Sequence, residues 1–272
     1  MKQSLTHSKT PMLAGVVREK TERAAIAEIY NCLYDGADMI DLHMSCMEDT
    51  SVETLKRIIS ASKLPVLALN YNKTYDWQDA GIEEEERVAS FWRAVEAGAD
   101  GVDIQGYTFH RPSKDGFYGE DKYSFTANKP FEVVTDPEII SQQCDFIDRV
   151  HYAGAQVLLS CHPHVEMNTQ QLVDLALFLE QRNPDIIKIV TVADTEDALL
   201  ESFRAMMALK REVKTPVSYH AGGKMGNLSR IINPVLGGHI AFCTDRFTES
   251  SLMAQPDLRA VKAVLDNLGR II

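Results

Sequence analysis

The chain has 272 residues, 45% hydrophobic and 25% charged, with 15 Gly, 10 Pro and 5 Cys, which excludes a disordered chain, a collagen-like repeat and a disulfide-stapled miniprotein. Twenty-eight Lys and Arg against 39 Asp and Glu leave a net charge of −11. No basic stripe offsets it, so a nucleic-acid partner is disfavoured, although a few buried cations can still build a pocket for an acidic metabolite.

The five cysteines, Cys32, Cys46, Cys144, Cys161 and Cys243, form no CxxC pair and no zinc-type spacing. They are expected to be reduced thiols of a cytoplasmic protein. The opening MKQSLTHSKTP is polar, and no apolar run approaches the roughly 20 residues that span a bilayer. No membrane partner is expected.

The length suits either two small domains or one α/β barrel of roughly 250 residues. Periodicity decides for the barrel. Strand-like apolar runs at 12–17, 39–42, 66–69, 101–104, 156–159, 186–192, 216–219 and 239–243 alternate with amphipathic stretches. The helical stretches fall at about 21–36, 52–62, 82–97, 137–153, 169–182, 195–213, 225–235 and 258–268, with apolar residues returning at i, i+3 and i+4. Eight alternations predict an α/β fold, a single-domain (β/α)8 TIM barrel over 1–272. The phrases YDGADMID and AVEAGADGVD each end a helix at Gly and begin a strand, as an αβ loop requires.

One connection breaks the rhythm. Residues 106–136, an insertion in the fourth βα loop, hold Tyr107, Phe109, His110, Phe117, Tyr118, Tyr123, Phe125 and Phe131. Such aromatic content argues against disorder. A structured lid, a subunit contact or a hairpin without catalytic role all fit.

In such barrels the reacting groups stand where strands end. The strand ends hold Asp41 and His43, Asn70 and Asn72, Asp103 and Gln105, His162 and His164, Lys188, and His220. Lys188 interrupts the otherwise apolar DIIKIVTV. It is either a lysine snorkelling at the start of its strand or a desolvated amine able to form an imine with a ketone. His162 ends the preceding strand, where a proton-moving group for the carbon beside an imine belongs. A metallic alternative joins His162 and His164 with His43, His220, Asp41 or Asp103, but Pro163 turns the chain between the first two. The segment AGGKMGNLSR, 221–230, is Gly-rich and basic; its amides, with Lys224 or Arg230, suit a carboxylate or phosphate.

These residues resemble the type I 3-dehydroquinate dehydratases, Schiff-base (β/α)8 barrel enzymes, over nearly the whole chain. The resemblance is most specific at VLLSCH (157–162), IIKIV (186–190), KMGNLSR (224–230) and SLMAQ (251–255). It implies that Lys188 forms the imine and that His162 is the general acid/base. It further implies that Arg230 holds the substrate carboxylate, helped by Ser251 and Gln255 when the last βα loop closes. Neither metal nor organic cofactor is implied, the partner is a small keto-acid substrate, and members are commonly homodimers.

The departures lie in the first half of the barrel. Gln105 stands where the family has a glutamate for the histidine, and an amide orients an imidazole without stabilising its cation. Asp41 and His43 replace a Glu and an Arg, and Tyr71 or Asn72 stands in place of a further arginine. Three readings follow: a divergent 3-dehydroquinate dehydratase, a lyase or aldolase of the same family acting on another keto-acid or keto-sugar, or a binding protein without catalysis.

Overall fold

A computed structural model of the chain describes residues 3–6, 11–71, 81–109, 132–163, 165–247 and 254–268. Strands and helices alternate along it: β1 (Met12–Val17), α1 (Glu22–Asp35), β2 (Met39–His43), α2 (Val52–Ala61), β3 (Val66–Leu69), α3 (Glu84–Ala97), β4 (Gly101–Gln105) and α4 (Pro137–Tyr152). There follow β5 (Gln156–Cys161), α5 (Thr169–Glu180), β6 (Ile186–Val192), α6 (Glu196–Glu212), β7 (Val217–Gly222), α7 (Gly223–Gly226), α8 (Ser229–Leu236), β8 (Ile240–Cys243) and α9 (Leu258–Leu268). The strands pair in the order β7-β6-β5-β4-β3-β2-β1-β8, the sequential order of a (β/α)8 barrel. The strands are buried almost throughout. Parallel strands covered on both faces need continuous rather than alternating apolar residues, which is why the runs were legible.

Packing divides the chain into two compact units. One comprises Met1–Asp103, Gly154–Gln156 and Ile240–Ile272, the other Ile104–Ala153 and Val157–His239. In the first, β1 pairs with β2 and β8, and β3 pairs with β2 and with Gly101–Asp103 of β4. α2 lays Leu55, Ile58 and Ile59 into this core, each contributing about 1.5–3 kcal/mol by burial. Its start is set by Ser51, whose hydroxyl accepts the Thr54 N–H. In the second unit β6 pairs with β5 and β7. α4 there begins at the Asp136 cap with Pro137 in the first turn, and α5 begins with a capping box of Asn168 and Gln171.

The two GAD phrases do more than stop helices. Gly36 and Gly98 end α1 and α3 at φ of 88° and 107°, the left-handed conformation glycine tolerates best. The following Asp38 and Asp100 then accept the backbone N–H of Leu13 and Val66 through their carboxylates, both at 2.9 Å. In the other unit Asp185 accepts from Val157 at 2.7 Å. Each of these aspartates also donates its own N–H to the carbonyl of the same residue. Two bonds thus lock each pair, and a carboxylate satisfies an amide at a strand's first residues.

The structure corrects several expected boundaries. β2, β4 and β5 reach His43, Gln105 and Cys161, and β7 continues to Gly222, so residues expected in loops belong to strands. The helix expected at 225–235 is two pieces, α7 and α8. Ser229 Oγ accepts the Ala221 N–H at 2.8 Å and donates to the Gly226 carbonyl at 2.6 Å, which folds the segment back on the end of β7. A Cβ on Gly226 would stand 2.8 Å from the Ala221 carbonyl. Of the expected 106–136 excursion, 110–131 lies outside the described residues, as do Asn72, His164 and Ser251.

Candidate active site

In the second unit, strand register builds the site. Lys188 on β6 is opposite Ser160 on β5 and Ser218 on β7, and all three are buried. Successive side chains alternate between faces, so residues two apart share one. His220 on β7 therefore follows Ser218, one layer further along than Lys188, and His162 comes directly after the end of β5. Both histidines are buried. Burial places His220 well below the ordinary histidine range, and the positive charges of Arg230, Lys188 and His162 press it the same way. Cationic groups thus converge on a neutral imidazole, in a chain whose net charge is −11. An anion is the complementary ligand.

The segment after β7 is arranged differently from the amide cradle expected there. The N–H groups of Lys224 and Met225 donate to Asp194 Oδ1 and the Ala193 carbonyl. The N–H of Ala221 goes to Ser229. Those amides are committed to the protein. The Lys224 side chain is exposed and Arg230, in the first turn of α8, is half-buried.

Gln105 ends β4, fully buried, and its N–H donates to Thr108 Oγ1 at 3.2 Å. The chain returns beside it at Glu132, which the sequence reading did not single out. Glu132 is buried, and its Oε2 accepts the backbone N–H of His162 at 3.2 Å. The Cys161 thiol donates to the Glu132 carbonyl at 3.3 Å, and burial, with the Glu132 charge, holds that thiol well above the ordinary cysteine range. Both ends of the excursion are stapled. The Gln143 side-chain amide donates to the carbonyls of Gly106 and Thr108, while Arg182 donates to Gln143 Oε1 and to the Val134 carbonyl. A glutamate following an aperiodic stretch of some twenty residues carries no local signal of this placement; only its buried neighbours reveal it.

In the first unit, Asp41 and His43 share a face of β2, with Nε2 of His43 3.1 Å from Asp41 Oδ2. Arg18 Nη1 lies 3.3 Å from His43 Nδ1. A guanidinium only donates, so Nδ1 accepts and Nε2 carries the proton donated to Asp41. This leaves Asp41 Oδ1 buried, with no hydrogen-bond partner among the described residues. Tyr71 meets the His43 ring edge-on at 6.0 Å between centroids. Asp103 on β4 and Gln255, before α9, are buried in the same unit. Among the described residues no group of three His, Cys, Asp or Glu is placed to hold a metal ion.

Comparison with known proteins follows the same lines. The chain is 26% identical over 243 residues to the bifunctional 3-dehydroquinate dehydratase/shikimate dehydrogenase of Arabidopsis thaliana chloroplasts, a match covering 87% of this chain and 33% of that protein. The chain thus spans about a third of that relative's length. It is 22% identical to the 3-dehydroquinate dehydratase of Aromatoleum aromaticum, covering 98% of this chain and 94% of that one. A crystal structure of a type I 3-dehydroquinate dehydratase from Clostridium difficile, with covalently modified comenic acid, superposes with a TM-score of 0.77 at 15% identity, covering 100% of this chain and 99% of that one. That likeness establishes the (β/α)8 barrel fold. Residues 123–272, more than half of the chain and the part that carries His162, Lys188 and Arg230, match the family model for type I 3-dehydroquinase, and the chain belongs to that family.

Proposed function

We propose that the protein is a hydro-lyase that removes water from 3-dehydroquinate through an imine on Lys188. The observation that carries this reading is the buried amine of Lys188 opposite Ser160 and Ser218, supported by the buried His162, whose charge and that of Lys188 both reach His220. The Lys188 amine adds to the substrate ketone and water leaves, forming the imine. The imine acidifies the adjacent carbon, His162 removes a proton there, and the β-hydroxyl departs as water on taking that proton back. Hydrolysis of the imine frees the conjugated product and restores Lys188. The lysine is its own electron sink, so the reading calls for neither metal nor organic cofactor.

Arg230 is the proposed partner of the substrate carboxylate, supported by its charge reaching His220, with Lys224 at the rim. Gln105 is proposed to orient the histidine. The family resemblance gives Ser251 and Gln255 a part in holding the substrate carboxylate, while Asp41, His43 and Asn72, which depart from the family's residues, are proposed to bind the substrate's other polar groups. The resemblance also supports a homodimer, and the cysteine pattern supports a cytoplasmic location.

Borohydride added with 3-dehydroquinate is expected to leave a reduced adduct on Lys188, located by peptide mass spectrometry, and enone absorbance is expected to grow without borohydride. A folded protein that gives neither signal refutes the reading. A second reading, the same imine chemistry on another keto-acid or keto-sugar, is favoured by the Asp41 and His43 pair on β2, where the family has a Glu and an Arg. It predicts trapping on Lys188 with a different ketone and silence with 3-dehydroquinate.

A further inference from the structure

We infer that Glu132 is a positioning residue for His162, supplying from the β4–α4 connection the negative charge that Gln105 at the end of β4 cannot supply. The inference rests on the imine reading for its kinetic consequence, but its structural content stands independently of any substrate.

Three observations carry it. First, the Glu132 carboxylate is buried and accepts the N–H of His162 itself, so one carboxylate oxygen is fixed at the residue that carries the imidazole. Second, the negative charge is felt at the end of β5: it helps raise the Cys161 thiol next to His162. Third, the backbone is built to bring Glu132 there. Gly106 donates its N–H to the Ser160 carbonyl at 2.8 Å, and a Cβ on Gly106 would stand 2.5 Å from the Glu132 carbonyl oxygen. Only glycine lets the chain at 106 and at 132 pass so closely, and Gln143 and Arg182 staple the chain on either side.

The electrostatic sense is definite. Within this unit the positive charges of Lys188 from β6, Arg230 from α8 and His162 meet at His220 on β7, and at Cys161, beside His162, the charge of Glu132 is opposed by that of Arg182. In that positive surround Glu132, bound to the His162 N–H, is the group that favours an imidazolium. A histidine that accepts a proton from carbon passes through the imidazolium. A buried carboxylate at its backbone offsets part of the surrounding positive charge at that moment.

Glu132→Gln separates the charge from the packing, because the amide oxygen still accepts the His162 N–H. The test follows the His162 ring by nitrogen-detected NMR against pH in free wild-type protein, Glu132→Gln and Glu132→Asp. Glu132→Gln is expected to move the His162 transition down by about one pH unit, and Glu132→Asp by less. An unmoved transition in a folded Glu132→Gln protein overturns the inference. In wild-type protein the carboxyl carbon of Glu132 is expected to register the His162 transition, and a carboxyl signal blind to it overturns the inference even where no variant folds. Kinetically, Glu132→Gln is expected to lower kcat about 10–100-fold with KM changed less than about threefold and with trapping on Lys188 retained, and Gln105→Glu is expected to restore part of the loss. Wild-type kcat in Glu132→Gln overturns the kinetic role. Absence of any adduct in the wild type would instead refute the imine reading, leaving the NMR result to decide the role of Glu132.

Discussion

His43 donates its Nε2 proton to Asp41 Oδ2 across 3.1 Å, while Arg18 occupies the other ring nitrogen. The pair is therefore a neutral imidazole on a buried carboxylate, with one carboxylate oxygen still unmatched among the described residues. Nitrogen NMR at pH 7.5 is expected to show His43 with a bare Nδ1 and a protonated Nε2; the opposite tautomer refutes the arrangement. If Asp41 Oδ1 accepts a substrate hydroxyl, Asp41→Asn should lower kcat/KM about 10–100-fold, mostly through KM, since a hydrogen bond to a charged group contributes about 1.5–3 kcal/mol.

Lys188 and His162 should separate two halves of one reaction. Lys188→Gln is expected to abolish both turnover and borohydride trapping. His162→Ala is expected to lower kcat about 10²–10⁴-fold, the usual contribution of a positioned acid or base, while an adduct still forms on Lys188. Loss of trapping in a folded His162→Ala protein would show that the histidine is needed for imine formation itself.

Gly106→Ala tests the close passage beside Glu132. The new methyl group would meet the Glu132 carbonyl oxygen at 2.5 Å, and overpacking of this kind costs about 1–3 kcal/mol. Urea denaturation should report a loss of that size, together with reduced turnover. A variant as stable as the wild type would mean that the Glu132 backbone moves aside freely.

Glu28 on α1 gives a pH signature of stability. Burial, and the negative charge of Asp245 beside it, push its carboxyl up to about 7 against the favourable charge of Arg246. The folded protein therefore holds a proton that the unfolded chain releases near 4.5, and the stability this contributes fades as pH rises from about 4.5 through 7. Glu28→Gln, which is neutral at every pH, is expected to stabilise the protein relative to wild type by about 1 kcal/mol at pH 8, solvent screening of this half-buried carboxyl cutting down the full shift, with most of the advantage gone at pH 5. Denaturant midpoints at the two pH values measure this directly, and an equal effect at both would refute it.

Much of the catalytic strand geometry was legible locally. The lysine within DIIKIVTV stands out because a charged residue interrupts a run that is apolar on both faces, and His162 because it follows such a run directly. The Gly-Ala-Asp phrases signal helix stops locally; their second use, the aspartate carboxylate holding an amide among a strand's first residues, needs the neighbouring strand to be in place. The segment after β7 misled for a related reason. Glycines signal accessible amides, yet those of Lys224 and Met225 are already bound to Asp194 and Ala193, in the connection after the neighbouring strand.

By itself, the sequence determined the alternation of strand and helix, the ends of most elements, and the candidate pair Lys188 and His162, because periodicity, caps and glycine stops act between residues a few positions apart. Only the tertiary structure decided that Ser160 and Ser218 flank the lysine, that Arg18 sets the state of His43, and that Glu132 returns to His162 across thirty residues of chain. Those pairings depend on strand register and on the path of a connection, which no local pattern encodes. The net charge of −11 belongs with the first group as a number, but its physical meaning came with the second, when cations gathered around one neutral histidine.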